Sequence, residues 1–190
     1  MTRDLDPRRQ QLRDLIDQRS LRRGDFKLAS GQASGFFFDM KQTVLHPRGA
    51  RLCGELLIEA LTAACGARPR YVGGLETGAI PVMSAVVLAC AYEGEDAPPI
   101  DGFFVRKQAK GTGTNVLIDG IVADDGPIAV LEDVTTTGGS ALRAVEALRG
   151  AGHRVAVVAT IVDRLAGAAD ALREHELELV SLLDRDDFAA

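Results

Sequence analysis

Between residues 71 and 183 the chain repeats one pattern, a short continuous apolar run followed by a loop and a segment of helical period. Residues 71–75 (YVGGL), 102–105 (GFFV), 114–118 (TNVLI), 127–132 (PIAVLE), 154–162 (RVAVVATIV) and 177–183 read as strands. Residues 79–92, 139–150 and 167–175 read as helices. Strands that are apolar at nearly every position have to be covered on both faces, and helices between them supply that cover. The alternation therefore predicts an α/β fold with a mostly parallel central sheet flanked by helices. Ligands of such sheets sit beyond the carboxyl ends of the strands. Three places follow: residues 73–78, residues 132–140, and the turn that holds Asp163 and Arg164.

The segment ahead of this pattern reads differently. Leu12, Leu15 and Ile16 give residues 8–20 an amphipathic helical period. FKLASGQASGFFFDM mixes turn residues with aromatics and suggests a hairpin or short strands. A further helix is expected from Pro47 to about Gly66. With no linker or repeat, 190 residues are expected to form a single domain with an N-terminal embellishment over about residues 1–45.

Charge and composition exclude several functions. A net charge of −5 opposes general nucleic-acid binding, which needs a basic footprint. Residues 1–20 lack the apolar core of a secretory leader, and AIPVMSAVVLACA is too short and interrupted to cross a membrane. No membrane association and a cytoplasmic location are expected. Cys53, Cys65 and Cys90 lie in helix-like apolar segments without a CxxC pair and are expected to be buried free thiols. His46, His153 and His175 show no metal-ligand spacing, and His153 reads as a solvated turn histidine. Against the acidic background, Arg106, Lys107 and Lys110 form a basic island next to glycines. Such an island suits an anion, although a charged hairpin tip has the same composition.

The most informative stretch is VLEDVTTTGGSALRAV, residues 130–145. Its apolar strand ends in Glu132 and Asp133, and its helix, with Leu142, Val145 and Leu148 on one face, begins after TTTGGS. A helix start carries unpaired N–H groups and partial positive charge, glycines admit an oxyanion closely, and threonine hydroxyls add donors. The parts suit a phosphate cradle; the same Thr and Ser could instead merely cap the helix. Two adjacent acids would repel a bare phosphate. They can accept hydrogen bonds from vicinal ribose hydroxyls or hold Mg²⁺ through water, so a sugar phosphate fits the junction best.

The junction resembles the 5-phosphoribosyl 1-pyrophosphate (PRPP) motif of the type I phosphoribosyltransferases. Other segments, in the same order, resemble the orotate-using family among them. FKLASGQASGFFFDMK is similar to its N-terminal hood, GGLETGAIP to its pyrophosphate loop, FFVRKQAKGTGT to its mobile flap (about 105–115), and ATIVDR to its base-contacting strand end. The resemblance implies the type I phosphoribosyltransferase fold with a hood and a β-hairpin flap. It implies transfer of the phosphoribosyl group from PRPP to orotate, with Mg²⁺ as cofactor, in a homodimer whose flap is shared across subunits. By the same resemblance the 5-phosphate lies in Thr135, Thr136, Thr137, Gly138, Gly139 and Ser140, next to Val134. Glu132 and Asp133 meet the ribose hydroxyls, and Thr77 and Gly78 lie along the pyrophosphate. Arg106, Lys107 and Lys110 grip the pyrophosphate, Thr112 of the flap also meets PRPP, and Lys107, Lys110 and Asp133 carry the catalysis. Phe37 and Phe38 border orotate, Thr136 contacts its edge, and Arg164 meets its carboxylate or carbonyl. No protein side chain ligates the metal directly; water could link it to Asp133.

Two positions depart from the family pattern. Thr112 stands where the flap usually has histidine, and Ala29 stands where some relatives have lysine. A neutral hydroxyl cannot match an imidazolium as acid, a role typically worth ~10² to 10⁴ in rate, so a slower enzyme is expected. Transfer to another base, or PRPP sensing with weakened catalysis, are the alternative functions.

Overall fold

The computed structural model describes residues 5–27, 33–94, 96–108 and 117–189. Helix α1 (Pro7–Arg19) starts where the Asp6 carboxylate accepts from the backbone N–H groups of Arg8 and Arg9, and it buries Leu12 and Ile16. Strands β1 (Leu21–Lys27) and β2 (Ala33–Phe38) form a separate antiparallel pair with an irregularity between Arg23 and Phe26. The short α2 (Lys41–Val44) leads into α3 (Pro47–Cys65), which ends at left-handed Gly66.

Six strands build the main sheet: β3 (Tyr71–Leu75), β4 (Asp101–Val105), β5 (Ile118–Gly120), β6 (Ile128–Thr135), β7 (Val155–Asp163) and β8 (Leu179–Asp184). Their spatial order is β5-β4-β3-β6-β7-β8, and only the β4–β5 pair is antiparallel. Helices α4 (Ala79–Ala91), α5 (Gly139–Gly150) and α6 (Ala168–Glu174) make the connections, and a 3-10 turn, Arg185–Phe188, ends the described chain. The continuous apolar runs are explained by burial on both faces. In β6, Ala129 and Leu131 join the core under α1, α3 and α4, whereas Ile128 and Val130 join the core under α5 and α6.

The α/β architecture and the alternation of elements agree with the pattern read from the sequence. Three local expectations need correction. Among the described residues, the strand expected at 114–118 begins at Ile118 and runs on to Gly120 as the edge strand β5, set by antiparallel pairing of Phe103 with Gly120 and Val105 with Ile118; residues 114–116 lie outside the described set. Strand β6 runs on through Glu132 and Asp133 to Thr135, because β7 keeps pairing with it there (Glu132 with Thr160, Thr135 with Asp163) after β3 has stopped at Val130. His153 is not simply solvated: its Nδ1 lies 2.9 Å from the Asp124 carboxylate. Of the thiols, Cys53 and Cys90 are buried and Cys65 is half-buried, all free. Among the described residues no helix is long and apolar enough to cross a membrane.

The sheet order fixes where ligands can go. From β3 the chain moves outward to β4 and β5, then returns to place β6 on the other side of β3. The loops after β3 and β6 thus leave the sheet in opposite directions and open a crevice between them.

Candidate active site

Both walls of that crevice come from the segments singled out in the sequence. On one side β3 runs into Glu76, Thr77 and Gly78, with a cis peptide between Glu76 and Thr77. On the other, β6 ends in Glu132, Asp133, Val134 and Thr135, and the turn Thr136–Gly138 opens α5. The two walls touch at Gly78: a Cβ there would stand 2.8 Å from Asp133 Oδ1. Only glycine leaves the carboxylate its place.

Helix α5 begins at Gly138, whose φ of +78° is the left-handed region that glycine adopts without penalty. No side chain caps this helix start. The capping reading of the TTTGGS stretch therefore fails, and the first N–H groups of α5 stay available to an anion. Thr135 and Gly138 are buried, Thr136 is half-buried, and Thr137, Gly139 and Ser140 are exposed around the turn.

The acids sit in a poorly solvated place. Glu132 is only 9% exposed, and burial together with the neighbouring Asp133 charge pushes its carboxyl up to about 7. The hydroxyls of Thr135 and Ser140 pull the other way. Burial also raises Asp133, opposed by the Val134 N–H, which donates to its Oδ1 at 2.9 Å, and by the charge of Lys41. Lys41, held 2.9 Å from Asp39, is a site neighbour that the sequence reading missed. Among the described residues no three His, Cys, Asp or Glu side chains gather as a metal group.

Just past the end of β4, Lys107 is held through both of its backbone polar groups. Its N–H donates to Glu76 Oε1 at 2.8 Å, and its carbonyl accepts from Arg143 Nη2 at 3.2 Å. Neither Glu76 nor Arg143 was singled out from the sequence, because each acts on backbone atoms that no motif marks. Arg106 pairs with the Asp119 carboxylate across the hairpin and lies over the Phe104 ring at 5.4 Å. In this state its guanidinium braces the hairpin. Lys110, Thr112 and Ala29 lie outside the described residues.

Arg164 follows β7 and is 8% exposed. Its N–H donates to the Thr135 carbonyl at 3.0 Å, which joins it to the turn that opens α5. Its guanidinium sits 4.9 Å above the Phe36 ring and donates to the Phe36 carbonyl at 3.4 Å. The other two phenylalanines diverge. Phe37 is 39% exposed beside Phe26, while the Phe38 side chain is buried in the core against Phe188. Phe36, which no motif marks, is the ring that meets Arg164.

No family model matches the chain. It is 43% identical over 184 residues, 95% of its length and 96% of theirs, to an orotate phosphoribosyltransferase of Bradyrhizobium. Its fold is similar to that of the Mycobacterium tuberculosis orotate phosphoribosyltransferase in complex with Fe(III) dicitrate, with TM-score 0.80 and 39% identity over 97% of this chain and 100% of that one. The structure of that enzyme in complex with PRPP matches with TM-score 0.75 and 38% identity over 95% and 98%. Identity of this order across nearly the whole of both chains, on a shared fold, places the chain in the orotate phosphoribosyltransferase family.

Proposed function

We propose that this protein transfers the 5-phosphoribosyl group from PRPP to orotate, giving orotidine 5′-monophosphate and pyrophosphate. The observation that carries the reading is the crevice where the uncapped start of α5, the Glu132–Asp133 pair and Gly78 meet at the sheet's switch point. The 5-phosphate is assigned to Thr135–Ser140, the ribose hydroxyls to Glu132 and Asp133, and the pyrophosphate to Thr77 and Gly78. Arg164 receives the orotate carboxylate, which suits a planar guanidinium fork. Phe37 and Thr136 flank the base, and Phe38 contributes through its backbone.

Bond making and breaking at the ribose carbon should pass through a cationic, oxocarbenium-like sugar. Orotate is already anionic, so the residues act by positioning two anions and stabilising charge on the departing pyrophosphate. Lys107 and Lys110 supply that charge from the flap, and Arg106 joins them if it exchanges Asp119 for pyrophosphate. Mg²⁺, brought mainly by PRPP, would add charge neutralisation, with the hard oxygens of Asp133 in reach through water. We take residues 1–190 as one catalytic domain with a hood over about 1–45 and a flap over about 105–115. It works as a homodimer, which the exposed Leu88 (55%) near the end of α4 and Tyr92 (84%) just after it support. Free thiols fit a cytoplasmic setting.

The test mixes the protein with PRPP, Mg²⁺ and orotate and follows loss of orotate absorbance. Turnover with orotate, but not with uracil or purines, is expected. PRPP binding without turnover, or transfer to another base, would overturn the assignment.

A further inference from the structure

We propose that Phe36 is a positioning residue for the base site: its ring and its carbonyl together fix the Arg164 guanidinium, and so set the affinity for the anionic base. The proposal rests on the reading that Arg164 receives the orotate carboxylate.

An arginine side chain has many rotamers, and a binding site needs one of them. The backbone end of Arg164 is fixed by its bond to Thr135 O. The charged end is met by Phe36 from two directions, with the ring face 4.9 Å below the guanidinium carbon and the carbonyl accepting from Nη2 at 3.4 Å. Because Arg164 is only 8% exposed, the cation–π attraction is little weakened by water. An aromatic partner also orients the guanidinium without adding a negative charge next to it. A carboxylate in the place of Phe36 would hold the arginine equally well but would compete with the incoming anion.

Phe36 is itself braced. It packs edge-on against Phe38 at 5.5 Å, and Phe38 packs edge-on against Phe188 at 5.2 Å. Phe38 and Phe188 are 7% and 6% exposed, and Phe188 closes the 3-10 turn whose start Asp184 caps. Strand parity puts Phe36 and Phe38 on one face of β2 and Phe37 on the other. The ladder of three rings therefore runs from the C-terminal turn to Arg164, and a base-site arginine is supported from a segment remote in sequence.

Steady-state kinetics with each substrate varied tests this on the full chain. Phe36→Leu keeps bulk and removes the π face; it should raise KM for orotate about tenfold, with kcat and KM for PRPP changed less than about twofold. Phe36→Tyr should restore the orotate KM. Arg164→Ala should raise it further, and adding Phe36→Leu to Arg164→Ala should cost nothing more. An unchanged orotate KM in Phe36→Leu, an equal rise for both substrates, or additive effects in the double variant would overturn the positioning role while leaving Arg164 in place. If Arg164→Ala itself leaves the orotate KM unchanged, the reading of Arg164 fails and the proposal falls with it.

Discussion

Glu132 holds a proton in the folded protein at a pH where it would have lost it in the unfolded chain. Its carboxyl is pushed up to about 7 by burial and by Asp133, against an ordinary value of 4.5. A raised acid stabilises the fold fully below the unfolded value, and that contribution declines from about pH 4.5 and is gone once the pH has passed about 7. The shift corresponds to something on the order of 3 kcal/mol. Glu132→Gln, neutral at every pH, should therefore match the ligand-free wild type at about pH 4 and exceed it by a few kcal/mol at about pH 8. Chemical denaturation at the two pH values reads this directly; equal stability of the two proteins at the higher pH would mean that the carboxylate is not penalised by burial. At this scale the sequence exposed the acids, because a charged pair ending an apolar run is conspicuous. Phe36 was hidden, since three successive phenylalanines have no marked face until the β1 pairing sets which of them turns toward Arg164. Lys41 and Glu76 were hidden too, each ordinary in its own segment and meaningful only across the fold.

Helix α5 spans Gly139–Gly150, the same bounds that periodicity predicts, because a glycine turn before it and an apolar face along it leave few alternatives. Strand ends were less legible. Their length depends on the neighbour: β6 continues for as long as β7 pairs with it, and that carries the two acids on a rigid strand rather than in a loop. The adjoining loop makes a sharper prediction. Gly78 starts α4 at an ordinary helical φ of −62°, so alanine there suffers no backbone strain. Its Cβ would nevertheless stand 2.8 Å from Asp133 Oδ1 and 3.2 Å from its Cγ. Gly78→Ala should keep the fold, displace the Asp133 carboxylate, and weaken PRPP use roughly tenfold, the scale of one charge-assisted hydrogen bond. Calorimetry of PRPP binding beside a thermal melt checks it. Undiminished binding would show that the carboxylate moves aside without loss, and a collapsed melting temperature would make the glycine a packing requirement instead.

At the scale of the whole molecule, the cations proposed to act in catalysis fall in sequence between β4 and β5, and β5 is the sheet edge farthest from β8; the β4–β5 pair is the root of the proposed flap hairpin. The root of that hairpin is tied to its own subunit through Glu76 and Arg143, yet the proposed dimer lets its tip serve the neighbouring site. The two arrangements differ in a countable way. Under the proposed assignment, a protein with Lys110→Ala keeps its ribose clamp and loses its flap cation, and one with Asp133→Asn has the reverse. Sedimentation should first give twice the chain mass of 20.2 kDa for each. If flaps act on their own subunit, mixing the two after subunit exchange yields no complete site. If they act across the interface, each mixed dimer contains one site with a sound clamp and a sound flap. Random exchange makes about half the dimers mixed, so about a quarter of the wild-type sites should return. Recovery near that fraction requires a shared flap, whereas activity that stays at the level of the separate variants assigns Lys110 to its own subunit's crevice.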